Sequence, residues 1–177
     1  MAFVGYYRID LREIPKRYEG QRLIKVVHES PELLRAEVER LAYFFKREFS
    51  YSFVQFEKTD KTPYTAYLFG NEENHYPHVW AGACCFRTRE YKDLGRKVEA
   101  LQWIWMHPYE RNKGFLKEWW PTFHENHGDF MVEPPLSHGM KQFLLKYNRD
   151  SAFSSIYDGS KPNVKKMKAH LARSDKA

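Results

Sequence analysis

Hydrophobic and polar positions alternate along this chain in two different periods, and the switches between them mark the elements. Arg22 to Glu29 is a short apolar, β-branched run that predicts a strand, and Ser30-Pro31-Glu32 then offers an N-cap, a first-turn proline and a first-turn acid. Leu34, Val38, Leu41, Ala42 and Phe45 recur at three- and four-residue spacing and predict an amphipathic helix to about Phe49, with Arg35, Glu39, Arg40 and Lys46 on a solvated face. Tyr51 to Glu57 and Tyr64 to Phe69 alternate with period two on either side of a break at Thr59 to Pro63, the pattern of two neighbouring antiparallel strands. His78 to Arg87 is a third strand, with small residues in its middle that permit close packing, and a charged turn at Tyr91 to Arg96 leads into a fourth, Val98 to His107.

Beyond Gly114 the period returns to that of a helix. Gly114 to His124 carries Leu116 and Trp120 on one face, with Pro121 expected to kink or shorten it. Asp129 to Glu133 is a short buried strand, and Ser137 caps a final helix bearing Met140, Phe143, Leu144 and Tyr147. The expected architecture is therefore α+β: a mixed, mostly antiparallel central sheet flanked by helices, in one domain over residues 1–160, followed by a basic tail at 161–177.

The chain has 177 residues, enough for one ordinary domain and too few for two. Its formal charge of +6 favours an anionic partner, which admits a phosphorylated coenzyme, an acidic protein surface or nucleic acid. No apolar run is long enough to span a bilayer and the first residues lack a secretory pattern, so the expected location is cytoplasmic, without a membrane partner. Cys84 and Cys85 are adjacent in an apolar stretch and read as reduced core thiols. The histidines lack metal-site company, so no metal is expected. His107, Trp103, Trp105, Trp119 and Trp120 read as structural more readily than as ligands.

Chemistry concentrates in VEALQWIWMHPYERNKGFLKEWW, where a β-rich run ends at Met106-His107-Pro108, a basic loop holds Arg111 and Gly114, and a helix begins. Strand, loop and helix start make an anion cradle, because loop amides and unpaired helix donors can point at one anion. Gly114 allows close backbone approach, and Arg111 and Lys113 would add charge beside it.

This stretch resembles motif A of the GNAT N-acetyltransferase superfamily, a strand and turn followed by Arg/Gln-x-x-Gly-x-Gly/Ala opening a helix. The chain reads Arg111-Asn112-Lys113-Gly114-Phe115-Leu116, with Leu116 where the family usually has Gly or Ala. The C-terminal half is also similar to the cohesin acetyltransferase branch, through Phe130-Met131-Val132-Glu133-Pro134-Pro135, Gly139 and Phe143-Leu144-Leu145-Lys146-Tyr147, although no two-cysteine, two-histidine zinc module is present in the sequence. The resemblance implies a GNAT-like domain that transfers acetyl directly from acetyl-coenzyme A to a primary amine, of a protein lysine or N-terminus or of a small molecule. It implies a coenzyme site at Ile104, Trp105, Met106, Arg111, Asn112, Lys113, Gly114, Phe115 and Leu116. It also implies catalytic roles for Glu133 and Glu99 as bases and Tyr147 as the acid. Beside these stand the plainer readings of Glu133 as a pairing carboxylate, Glu99 as a solvated strand residue and Tyr147 as core.

A binding protein is the competing class. It would be either a GNAT fold without catalysis or a basic module that contacts nucleic acid through Lys161, Lys165, Lys166, Lys168 and Arg173. Oligomeric state, acceptor and acyl-chain length are not encoded in any pattern of this sequence.

Overall fold

A computed structural model describes residues 9–71, 78–90 and 97–147 in full, and the backbone of 91, 96, 157–158 and 161–162. In chain order the elements are β1 (Leu23–Val26), α1 (Glu32–Glu48), β2 (Thr65–Asn71), β3 (Val79–Tyr91), β4 (Arg96–Met106), α2 (Phe115–His127), β5 (Met131–Val132), α3 (His138–Tyr147), β6 (Tyr157–Asp158) and β7 (Lys161–Pro162), with 3-10 turns at Lys16–Tyr18 and Pro108–Glu110. Five strands form one sheet in the order β1-β2-β3-β4-β5, with β1 antiparallel to β2 and β5 parallel to β4. The architecture is α+β, among the described residues a mixed open sheet with three α-helices, as the alternating periods predict. Among the described residues β6 and β7 pair with each other, Asp158 opposite Lys161, so the first residues of the basic tail lie in a two-stranded ribbon.

The chain divides into two compact units: residues up to Cys85 together with Ile104–Lys113, and Phe86–Trp103 together with the chain from Gly114 onward. In the first, Leu34, Val38, Leu41 and Ala42 form the buried stripe of α1, and Val26, Phe56, Tyr67, Phe69 and Trp105 complete its core. The N-terminal segment runs alongside the start of β3, with Ile14 N donating to the His78 carbonyl at 2.8 Å and Trp80 N to that of Arg12 at 3.0 Å. In the second, Phe86, Leu101, Trp120, Phe123, Phe130, Met131 and Leu144 are buried, with Phe130 edge-on to both Phe86 and Trp120. Cys84 and Cys85 are fully buried thiols of the first unit and form no disulfide, as read from the sequence.

Four expectations are corrected. Ser30 does not cap α1: Pro31 occupies the cap position, and the Ser30 hydroxyl instead accepts from Val27 N at 2.9 Å within the preceding turn. Residues 51–57 form no strand, because the nearby backbone is satisfied by side chains of α1 and not by a ladder. Lys58 N donates to Glu39 at 3.1 Å, and the Lys58 carbonyl accepts from Arg35 at 2.7 Å, while Phe56 is buried edge-on against Tyr64. The helix face bearing Arg35, Glu39 and Arg40 is accordingly not simply solvated; it straps that loop down, and Arg40 pairs with the buried Glu37. Pro121 does not shorten α2, which continues six residues past it to His127. Ser137 does cap α3, accepting from Met140 N at 3.1 Å.

Candidate functional site

The loop between β4 and α2 is built on buried polar groups of the first unit. Trp105 is buried on β4, with Ile104 and Met106 half-buried on either side. Where the strand ends, His107 N donates to the Ala81 carbonyl at 2.8 Å, and the His107 ring caps the 3-10 turn by accepting from Tyr109 N at 3.3 Å through Nδ1. This ring is 3% exposed, and burial holds its pKa below the usual imidazole value against the opposing pull of a hydrogen bond to the Ile9 backbone. A neutral ring with both nitrogens engaged is a turn support, which agrees with the structural reading of His107.

The next residues carry three charges. Glu110 is buried at 6% exposure, and its Oε2 accepts from Asn71 Nδ2 at 2.6 Å and from Lys113 Nζ at 3.0 Å. Arg111 donates through Nε to the Met106 carbonyl at 2.9 Å and through Nη2 to Glu48 at 2.6 Å; the same Glu48 oxygen also accepts from Trp105 Nε1 at 2.8 Å. Both cations expected to add charge to a cradle are thus already paired with a carboxylate. Asn112 and Gly114 have φ of +62° and +88°, the left-handed region that a β-to-helix turn with close backbone approach requires.

In the second unit, Gly114 is the N-cap of α2 and brings no side-chain cap. The first helical bond runs from Glu118 N to the Gly114 carbonyl at 3.0 Å, so the amides of Phe115, Leu116 and Lys117 have no carbonyl ahead of them within the helix. A Cβ at Gly114 would meet nothing within 4 Å, Phe115 is buried, and Leu116 is half-buried. An open, uncapped helix start with a positive dipole end suits a pyrophosphate through backbone donors.

The three proposed catalytic side chains all lie in the second unit, each with its own partners. Glu133 follows β5; its N donates to the Leu101 carbonyl at 2.9 Å, and its carboxylate pairs with Arg89 Nε on β3 at 2.5 Å, leaving it 21% exposed. Glu99, on β4, accepts from the Thr88 hydroxyl and lies 3.4 Å from His127 Nδ1, whose ring is stacked on Phe86 at 4.0 Å between centroids. Tyr147 ends α3, 41% exposed, with its ring 5.1 Å from that of Phe143 and the ammonium groups of Lys146 and Lys117 at 5.1 and 5.7 Å from its centroid. Sequence reasoning missed Glu48, Asn71, Arg89, Glu110 and His127, whose importance comes from pairing across 28 to 63 residues of chain or from burial inside a charged run. Only the i,i+3 spacing of Glu110 and Lys113 was a visible signal. Among the described residues, no group of three or more His, Cys, Asp or Glu side chains could hold a metal ion, and no helix is long and apolar enough to cross a membrane.

No family model matches the sequence, and no curated protein sequence matches it. Among solved structures, the chain is similar to a ribosomal-protein-alanine N-acetyltransferase from Brucella melitensis biovar Abortus 2308, with 12% identity over 71% of this chain and 90% of that one and a TM-score of 0.48. It is similar to an aminoglycoside acetyltransferase from an uncultured soil metagenomic sample, in complex with sisomicin, with 12% identity over 75% and 88% of the two chains and a TM-score of 0.43. A probable acetyltransferase is similar at 15% identity over 73% and 89%, with a TM-score of 0.41.

Proposed function

We propose that this chain is a GNAT-type N-acetyltransferase that moves an acetyl group from acetyl-coenzyme A to a primary amine. The observation that carries the reading is the crossover from β4 through a left-handed turn into an uncapped α2 and back to a parallel β5, at the residues that resemble motif A. β5 pairs with β4 only at Ala100 and Leu101, so among the described residues Ile104, Trp105 and Met106 have no partner on β5 and offer extended backbone to an acyl-pantetheine arm. On the resemblance to motif A, Arg111, Asn112, Lys113, Gly114, Phe115 and Leu116 are assigned to the pyrophosphate.

Acetyl-coenzyme A supplies an activated acyl group; the chain must supply orientation and a place for a proton. Glu133 is assigned as the proton acceptor, with its orientation fixed by Arg89, and Glu99 is the second carboxylate in reserve. Tyr147 is assigned as the proton donor to the leaving thiolate. A protein lysine or N-terminus is the favoured acceptor, on the similarity of Glu133-Pro134-Pro135 and Lys146-Tyr147 to the cohesin acetyltransferase branch, and the expected location is the cytoplasm.

The second reading is a GNAT fold that binds without catalysis. It is favoured by the pairing of Arg111 with Glu48 and of Lys113 with Glu110, which removes both loop cations from direct phosphate contact. The basic residues invoked for nucleic acid, Lys165, Lys166, Lys168 and Arg173, lie outside the described residues.

Calorimetric titration of acetyl-coenzyme A into the protein and into a Gly114→Glu variant tests the reading. Binding that the variant loses, followed by acetyl transfer that Glu133→Gln reduces, is the expected result. Absence of binding to the unaltered protein would overturn the enzyme reading, and binding without transfer to any amine would favour the second.

A further inference from the structure

We propose that Glu110 and Glu48 are positioning residues that preform the turn at 110–113, so that an anion there is held by main-chain amides and not by the cationic side chains of Arg111 and Lys113. The proposal deepens the coenzyme reading and rests on it for the identity of the anion. The geometry it starts from belongs to the first unit alone.

A turn containing a left-handed Asn112 carries a conformational cost, because a Cβ disfavours that region. Something must hold it there. On one side, Glu110 is buried beneath the turn, with both Asn71 of β2 and Lys113 donating to the same oxygen. The Lys113 bond closes the turn on itself across Asn112. On the other side, Arg111 is clamped twice, to the Met106 carbonyl at the end of β4 and to Glu48 at the end of α1. Glu48 is fixed in its turn by the indole N–H of the buried Trp105. Each clamp ends on a rigid element of the fold, which is what preorganisation of a binding loop demands.

The charge count follows directly. Residues 110–113 contain one acid and two cations, and Glu48 adds the second acid, so the cluster is neutral as a whole. A loop that bound phosphate through Arg111 and Lys113 would gain affinity if Glu110 were neutralised, because Lys113 would be released toward the anion. A loop whose amides are held in place by Glu110 would lose affinity from the same change. The two mechanisms give opposite signs for one substitution.

The test uses Glu110→Gln in the full chain, with Glu48→Gln as an independent variant of the half-exposed clamp. Amide hydrogen exchange at 111–113 is measured without ligand, coenzyme A binding is measured by calorimetry over a range of salt, and thermal unfolding checks that the fold persists. The expected result is exchange about tenfold faster at those amides in each variant, coenzyme A binding weakened by about tenfold, and a shallow salt dependence in the unaltered protein. Tighter coenzyme A binding by Glu110→Gln, or unchanged exchange in both variants, would overturn the positioning role. If the unaltered protein does not bind coenzyme A, the coenzyme reading fails and the exchange measurements alone decide whether the carboxylates hold the turn.

Discussion

A single methyl group added at Gly82 should be among the most damaging small changes available in this protein. Gly82 lies in β3 of the first unit, and a Cβ built there would stand 2.3 Å from the Trp105 carbonyl oxygen, 2.7 Å from Met106 Sδ and 3.0 Å from Met106 Cα. Ordinary van der Waals contact begins at 3.4 Å, so the thioether could turn aside but the β4 backbone could not. Relieving the overlap requires the strands to part by roughly 1 Å, beyond the tolerance of a ladder bond near its best length. The adjacent bond from His107 N to the Ala81 carbonyl, now 2.8 Å, would be stretched past useful range. Overpacking against backbone costs about 1–3 kcal/mol and each lost ladder bond about 1 kcal/mol, so Gly82→Ala should destabilise by about 2–4 kcal/mol. For a chain of this size that is a fall in Tm of about 5–12 °C. Gly139→Ala is the internal control: it lies in α3 with nothing within 4 Å of the added carbon, and should gain about 0.5 kcal/mol. Scanning calorimetry and urea unfolding on the two variants measure both values. A Gly82→Ala protein that melts within about 2 °C of the unaltered one would refute the close-approach argument.

Three further outcomes are expected. Burial lowers the pKa of His107 from 6.5, so the unfolded chain binds its proton first as pH falls, and stability contributed by this site is full above 6.5 and declines below it; in urea unfolding across that window, His107→Asn should flatten the slope. Arg35→Met removes two donors to backbone carbonyls, those of Ser30 and Lys58, and should cost about 1–3 kcal/mol while speeding proteolysis within residues 51–63, and an unchanged cleavage rate would contradict the strap. Cys84 and Cys85 are fully buried, and burial pushes the Cys84 thiol well above its usual pKa, so a thiol reagent should label neither in the native protein and both in urea; fast native labelling would refute their burial.

Elements whose apolar spacing coincides with burial were legible in the chain. The stripe of α1, the capped α3 and the strands β2 to β5 all lie where the apolar pattern places them, because those positions are covered, on both faces along β2 and the middle of β3. Residues 51–57 show what periodicity leaves open. Alternation there marks Phe56 for burial, but whether a neighbouring strand or a helix satisfies the backbone depends on Arg35 and Glu39, which belong to another part of the chain. Pro121 follows the same logic: local chemistry forbids one hydrogen bond, and the packing of Trp120 and Phe123 on either side keeps the helix running. At the loop after β4, the glycine that opens the helix was readable at Gly114; the left-handed backbone at Asn112 was not. The commitment of Arg111 was not, since Glu48 comes from 63 residues away, nor was the anchoring of Glu110 by Asn71, 39 residues away.

The strap at Lys58 bears on which positions of this chain are free to vary. Two of the three bonds to that residue use its backbone, its N–H donating to Glu39 and its carbonyl accepting from Arg35, and only the bond from its ammonium group to Glu32 uses the side chain. Any residue with a free amide could therefore stand at 58. The constraint falls instead on Arg35 and Glu39, polar residues of a helix surface that composition alone would class as interchangeable. In related chains, drift should be tolerated in the loop and resisted on the helix, the reverse of the usual expectation for loops and exposed charges.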